Sequence, residues 1–63
     1  MARYRIYADR NAWMADDPSN SFDFTGSLSA AKLEAQHKGF RYVEALNCGL
    51  KSHALHSGKW GRV

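Results

Sequence analysis

Polar and apolar positions alternate along Arg3-Tyr4-Arg5-Ile6-Tyr7-Ala8, placing Tyr4, Ile6 and Ala8 on one side of an extended chain and Arg3, Arg5 and Tyr7 on the other. Period two marks a half-buried strand, because successive side chains of a pleated backbone point to opposite faces. The alternation stops at residues 10–20, where Asp16, Asp17, Pro18, Ser19 and Asn20 gather turn formers into one loop that also carries Trp13 and Met14. It resumes in Ser21-Phe22-Asp23-Phe24-Thr25 as a second strand. A third strand is predicted over Phe40–Leu46, with Phe40, Tyr42 and Leu46 sharing a face, a fourth over Leu50–His56, and a short fifth over Lys59–Val63. Asn47-Cys48-Gly49 and Ser57-Gly58 supply the turns between them, since Asn and Gly tolerate positive φ.

Between the second and third strands the period changes. Leu28, Ala31 and Ala35 recur at helical spacing and share one face of a helix predicted near residues 28–38. Ser27 is placed to cap its start, accepting a hydrogen bond from an amide of the first turn. Lys38 falls in the last turn, where the helix dipole favours a cation, and Gly39 can take the left-handed conformation that ends the helix. The order is β-β-α-β-β-β, which predicts one α+β domain over residues 1–63: a small antiparallel sheet with one helix packed on one face. Ala31 and Ala35 are expected against the sheet, and the opposite face is expected to be free to meet a partner.

A chain of 63 residues leaves little room for a deep cleft. Its eight aromatic residues, Tyr4, Tyr7, Trp13, Phe22, Phe24, Phe40, Tyr42 and Trp60, are an efficient way to fill a small core. A lone cysteine, Cys48, cannot close an internal disulfide and favours a reducing compartment. No apolar run approaches the roughly 20 residues that span a bilayer, and no signal-peptide pattern opens the chain. These features predict a cytoplasmic protein, a monomer or weak dimer, without membrane contact. Net charge is +3, and its distribution is uneven. From residue 32 onward Lys32, Lys38, Arg41, Lys51, Lys59 and Arg62 face only Glu34 and Glu44, whereas Asp9, Asp16, Asp17 and Asp23 all precede the helix. A basic half suggests an anionic partner, nucleic acid or an acidic protein surface.

His53-x-x-His56 suggests a metal pair, but on a strand residues three apart point to opposite faces and cannot reach one ion. Cys48 in a turn lacks an oriented base, the glycines form no phosphate loop, and Asp16-Asp17 beside Pro18 suits a turn or an acidic contact. The expectation is a protein that is not an enzyme, with no cofactor, no metal and no catalytic residue. Trp13 reads either as a lid folded back on the core or as a contact anchor, and Trp60 as core. Arg3, Arg5 and Tyr7 offer one face on which rings and cations could meet a nucleic acid, and Arg41 with Val43 another. The candidate binding set is Trp13, Lys32, Lys38, Arg41, Lys51, Lys59 and Arg62.

Leu28-Ser29-x-Ala31-Lys32, Phe40 opening a strand, and Gly58-Lys59-Trp60 in the last hairpin together resemble small bacteriophage anti-CRISPR proteins, in particular inhibitors of type I-F systems. The resemblance covers roughly residues 27–60. It implies a non-enzymatic inhibitor, acting in the bacterial host cytoplasm, that docks on the backbone subunit of the guide-RNA surveillance complex (Cascade) and blocks target DNA binding. It further implies that Lys32 and Lys59 bear on DNA contact. The alternative is a small free-standing basic nucleic-acid-binding module.

Overall fold

The alternating segment Arg3–Tyr7 forms strand β1 and takes an interior position in the sheet, second from one edge. It pairs antiparallel with β2 (Ser21–Thr25) on one side and with β3 (Tyr42–Ala45) on the other. Strand β4 (His53–His56) continues from β3, and β5 (Lys59–Arg62) closes an antiparallel sheet of order β2-β1-β3-β4-β5. The computed structural model describes residues 2–46 and 52–62. The turn expected at Asn47-Cys48-Gly49, and Leu50 and Lys51 of the fourth strand, lie outside the described residues. Ser57 and Gly58 form the β4–β5 turn with φ of 51° and 78°, the paired positive values that let two residues join right-twisted strands.

Helix α2 (Leu28–His37) lies where its caps put it. The Ser27 hydroxyl accepts the Ala30 N–H at 3.2 Å, and Gly39 at φ 72° turns the chain away. Ala31 and Ala35 are fully buried against Tyr4, Ile6 and Val43, with Phe22, Phe24, Leu28, Phe40 and Trp60 packed around them. Small side chains on the inner face let the helix approach the sheet closely. Trp60 joins this core from β5, as expected. The third strand begins at Tyr42 rather than Phe40, because the Phe40 N–H donates to the Ala35 carbonyl at 2.8 Å and still belongs to the helix end. Phe40 therefore packs under α2, Tyr42 joins the opposite core and Leu46 is 40% exposed, so the three do not share a face.

The opposite sheet face is not free. Residues 10–20, expected as a loop, contain helix α1 (Arg10–Ala15) followed by a 3-10 turn at Pro18–Asn20. Asp9 caps α1, its Oδ1 accepting the Ala12 N–H at 2.9 Å, and Asp16 stops it in the left-handed conformation at φ 52°. Asp17 caps the 3-10 turn by accepting the Ser19 N–H at 2.9 Å, so the acidic pair does turn work. Under α1 a second core forms from Tyr7, Ala12, Tyr42 and Ala54, with Ala8 and Trp13 packed against it. Tyr7, expected on a solvent face beside Arg3 and Arg5, is 2% exposed because α1 covers it. Among the described residues no helix is long and apolar enough to cross a membrane.

Candidate functional site

Helix α1 holds Trp13 over the sheet. Its indole stacks on Tyr42 with ring centroids 5.1 Å apart and planes 19° apart, and its Nε1–H donates to Glu44 Oε2 at 3.3 Å. Trp13 is therefore a lid on the second core. The same ring also lines an open cavity, so its outer side forms a wall.

A polar network fixes the lid. The Tyr7 hydroxyl lies 2.7 Å from Asp16 Oδ1 and 3.2 Å from Glu44 Oε1, and its one proton serves one carboxylate at a time. Burial, aided by the neighbouring carboxylates, pushes the Tyr7 phenol up to about 12. Arg5 Nε donates to Asp23 Oδ1 at 2.8 Å, and the Arg5 guanidinium is 3.7 Å from Asp16. The hydrogen bond from Arg5 holds the Asp23 carboxyl below its ordinary range. Arg5, expected to present a cation for stacking, is thus engaged by carboxylates. With Asp16 and Asp23 it lines a cavity of about 460 Å³ at the acidic end of this face.

Basic residues line the hollows at the other end. A cavity of about 360 Å³ runs between α1 and the last hairpin, walled by Trp13, Tyr42 and Arg10 and bounded by His56 and Arg62, with Ala54 and Gly61 also lining it. A hollow of about 190 Å³ shares Arg10, Tyr42 and His56 with it and adds Arg41 and Asp9. The two adjoin, and Arg10, Arg41 and Arg62 are among their lining residues, with the β5 register setting the Arg62 side chain toward the Trp60 side of the strand. Planar guanidinium forks pair with the oxygens of phosphate or carboxylate in a bidentate way that ammonium groups do not.

Of the expected binding set, Trp13 and Arg62 are among the residues lining one of these hollows and Arg41 among those lining the other. Lys59 stands opposite His56 at the hairpin end. Lys32 and Lys38 do not join them, because both extend from α2 on the far side of the sheet. Lys32 Nζ lies 5.9 Å from the Trp60 ring centroid and Lys38 Nζ 5.4 Å from that of Phe22, within cation–π reach. Lys51 lies outside the described residues. The expected Arg41–Val43 face does not exist, since Val43 is fully buried under α2. Arg10 and His56 lie outside the expected set but also line the groove: Arg10 falls in a segment that reads as loop, and His56 in a spacing that suggests a metal pair. Strand register places His53 beside Val43 and His56 opposite Lys59, hence on opposite faces. Among the described residues no group of three or more His, Cys, Asp or Glu is arranged to hold a metal ion.

Comparison of the chain with protein-family models, curated proteins and solved structures finds no match.

Proposed function

We propose that this chain is a non-enzymatic binding protein that docks through its groove face on a type I CRISPR surveillance complex and blocks target DNA binding. The observation that carries the reading is the Trp13–Tyr42 stack walling a groove beside Arg10, with Arg41 and Arg62 among the residues that line it and the adjoining hollow. Clustered guanidinium groups beside fixed rings steer an anionic partner and give it a defined seat. The lid is already held by stacking and by Glu44, so little ordering entropy is lost on docking. The resemblance to anti-CRISPR proteins over residues 27–60 supplies the partner, a complex whose backbone subunit lies along a guide RNA. Lys59 extends the positive edge of the groove at the hairpin end. A DNA contact at Lys32 requires the partner to reach around the β5 edge, because Lys32 lies over Trp60 on the opposite face.

The test is target-DNA binding by purified, guide-loaded type I complexes of several subtypes, with and without saturating protein. Loss of target binding for at least one subtype is expected, with recovery when Arg10→Glu and Arg41→Glu are combined in the added protein. If no complex binds the protein and none is inhibited, the reading fails. A free-standing nucleic-acid-binding module is the second reading, favoured by the open space over Gly61 beside the groove. Steep loss of affinity with salt by the protein alone separates it from docking on a protein complex.

A further inference from the structure

The two edges of the sheet differ. Strand β5 is short and carries Lys59, Gly61 and Arg62, which discourage another chain from pairing with it. Strand β2 has none of these devices: Ser21–Thr25 holds no lysine, arginine, proline or glycine, and its register with β1 runs unbroken from end to end. The Ala8 N–H donates to the Asn20 carbonyl and the Gly26 N–H to the Ala2 carbonyl, which fixes the alternation of this ladder. Phe22 and Phe24 therefore turn their peptide groups toward β1, and Ser21, Asp23 and Thr25 turn theirs outward. Among the described residues no backbone hydrogen bond reaches those outward groups.

The side chains along this edge differ between the two faces. Phe22 and Phe24 lie half-buried on the α2 face and give the strand an apolar rim. On the α1 face Asp23 borders the cavity of about 460 Å³ that Arg5, Asp16, Pro18 and Ser21 also line. Asp16 and Asp23 are mostly exposed and share the one guanidinium group of Arg5, so the cavity stays negative.

We propose that β2 receives an extended segment of another protein as an added antiparallel strand, with a basic residue opposite Asp23 and apolar residues opposite Phe22 and Phe24. The outward peptide groups of Ser21, Asp23 and Thr25 supply the hydrogen bonds of strand addition. Residues opposed across a sheet share a face, so the basic side chain stands beside Asp23 at the mouth of the negative cavity. The apolar residues on either side of it lie along the two phenylalanine rings. Asp23 also argues against a second copy in this place. Antiparallel pairing of β2 with itself about its centre sets Asp23 against Asp23, and like charges directly opposite are destabilising. The β2 edge is at the far end of the sheet from the last hairpin, so the proposal goes beyond the groove and does not rest on it.

Isotope-labelled protein is titrated with the capped peptide Ser-Thr-Val-Lys-Val-Thr-Ser, followed by amide chemical shifts and amide exchange. Two further peptides carry glutamate or N-methyl-lysine at the centre. Saturable binding of the lysine peptide below about 1 mM is expected, with shifts and slowed exchange at the amides of Ser21, Asp23 and Thr25. Glutamate replaces attraction by repulsion and should weaken binding by about two- to thirty-fold, twice the free energy of an exposed ion pair. N-methylation removes the donor that pairs with the Asp23 carbonyl and should abolish binding. Asp23→Lys should reverse the preference for lysine over glutamate, and Asp23→Asn should reduce it should Asp23→Lys not fold. No saturable binding, amide changes confined to other strands, or equal or tighter binding of either control peptide would each overturn the proposal. So would a preference unchanged in a folded Asp23 variant, or sedimentation showing that the protein alone grows with concentration through this edge.

Discussion

Replacing Ala35 with leucine tests how α2 sits on the sheet. Ala31 and Ala35 are both 0% exposed, and the atoms facing them belong to Tyr4, Ile6 and Val43. A leucine adds three carbon atoms where no space exists, so either the helix lifts or a core side chain leaves its rotamer. Overpacking of this kind costs about 1–3 kcal/mol. At about 0.05–0.15 kcal/mol per residue, a chain of 63 residues has a total stability of roughly 3–9 kcal/mol. The substitution therefore removes a substantial share of it. With about 4–8 °C of Tm per kcal/mol for a domain this small, the expected fall is roughly 4–24 °C. Gln36→Leu supplies the control, since it places the same side chain at an exposed position of the same helix and should shift stability by no more than about 0.5 kcal/mol. Alanine and leucine are both good helix formers, so propensity does not account for a difference between the two variants. Circular dichroism melts, with urea titrations to check that the slope is unchanged, read the result. If Ala35→Leu melts within about 2 °C of the parent, half the smallest expected shift, α2 does not lie face-down on Tyr4 and Ile6.

Tyr7 makes stability fall at alkaline pH. Its phenol is raised from the ordinary value near 10 to about 12, so the folded state holds its proton more tightly than the unfolded chain does. The contribution is complete below about pH 10 and is lost as pH rises from about 10 through about 12. Urea midpoints across this range should fall more steeply for the parent than for Tyr7→Phe, and parallel curves would show that the phenol is not linked to folding. Asp9→Ala removes the cap of α1 and should cost about 0.5–2 kcal/mol. Because α1 carries Trp13, the near-ultraviolet circular dichroism of the Trp13–Tyr42 stack should weaken in the same variant, and an unchanged aromatic spectrum would show that the cap does not position the lid.

The parts of the fold legible along the chain are those whose signals are local. Ser27, the Leu28/Ala31/Ala35 spacing and Gly39 define α2 within one short segment, and Ser57-Gly58 defines the last hairpin. Helix α1 escapes this kind of reading because six residues are fewer than two turns, too few for an apolar period to show. Its stop is also an aspartate in the left-handed conformation where a glycine is the usual sign. Alternation assigned Tyr7 to the correct side of β1, but not the cover that α1 lays over that side. The groove has no linear signature at all. Arg10, Arg41 and Arg62 sit on separate elements, and only the sheet order and the placement of α1 make them neighbours of two adjoining hollows. Lys32 and Lys38 show the converse: a basic run in sequence divided by the sheet from the cations it was grouped with.

The interior place of β1 has a consequence for the growing chain. Both partners of this strand are synthesised after it, and 35 positions separate Tyr7 from Tyr42, where β3 begins. At about 5–20 residues per second, β1 waits on the order of 2–7 s for its second neighbour. Throughout that interval Tyr4, Ile6 and Tyr7 have no complete core to enter, and one edge of the strand stays unpaired. Arg3 and Arg5 interrupt this apolar set with positive charge, which is how sequences keep an exposed strand from joining another copy of itself. The arginines of β1 thus protect the nascent chain before Arg5 finds Asp23 in the folded one.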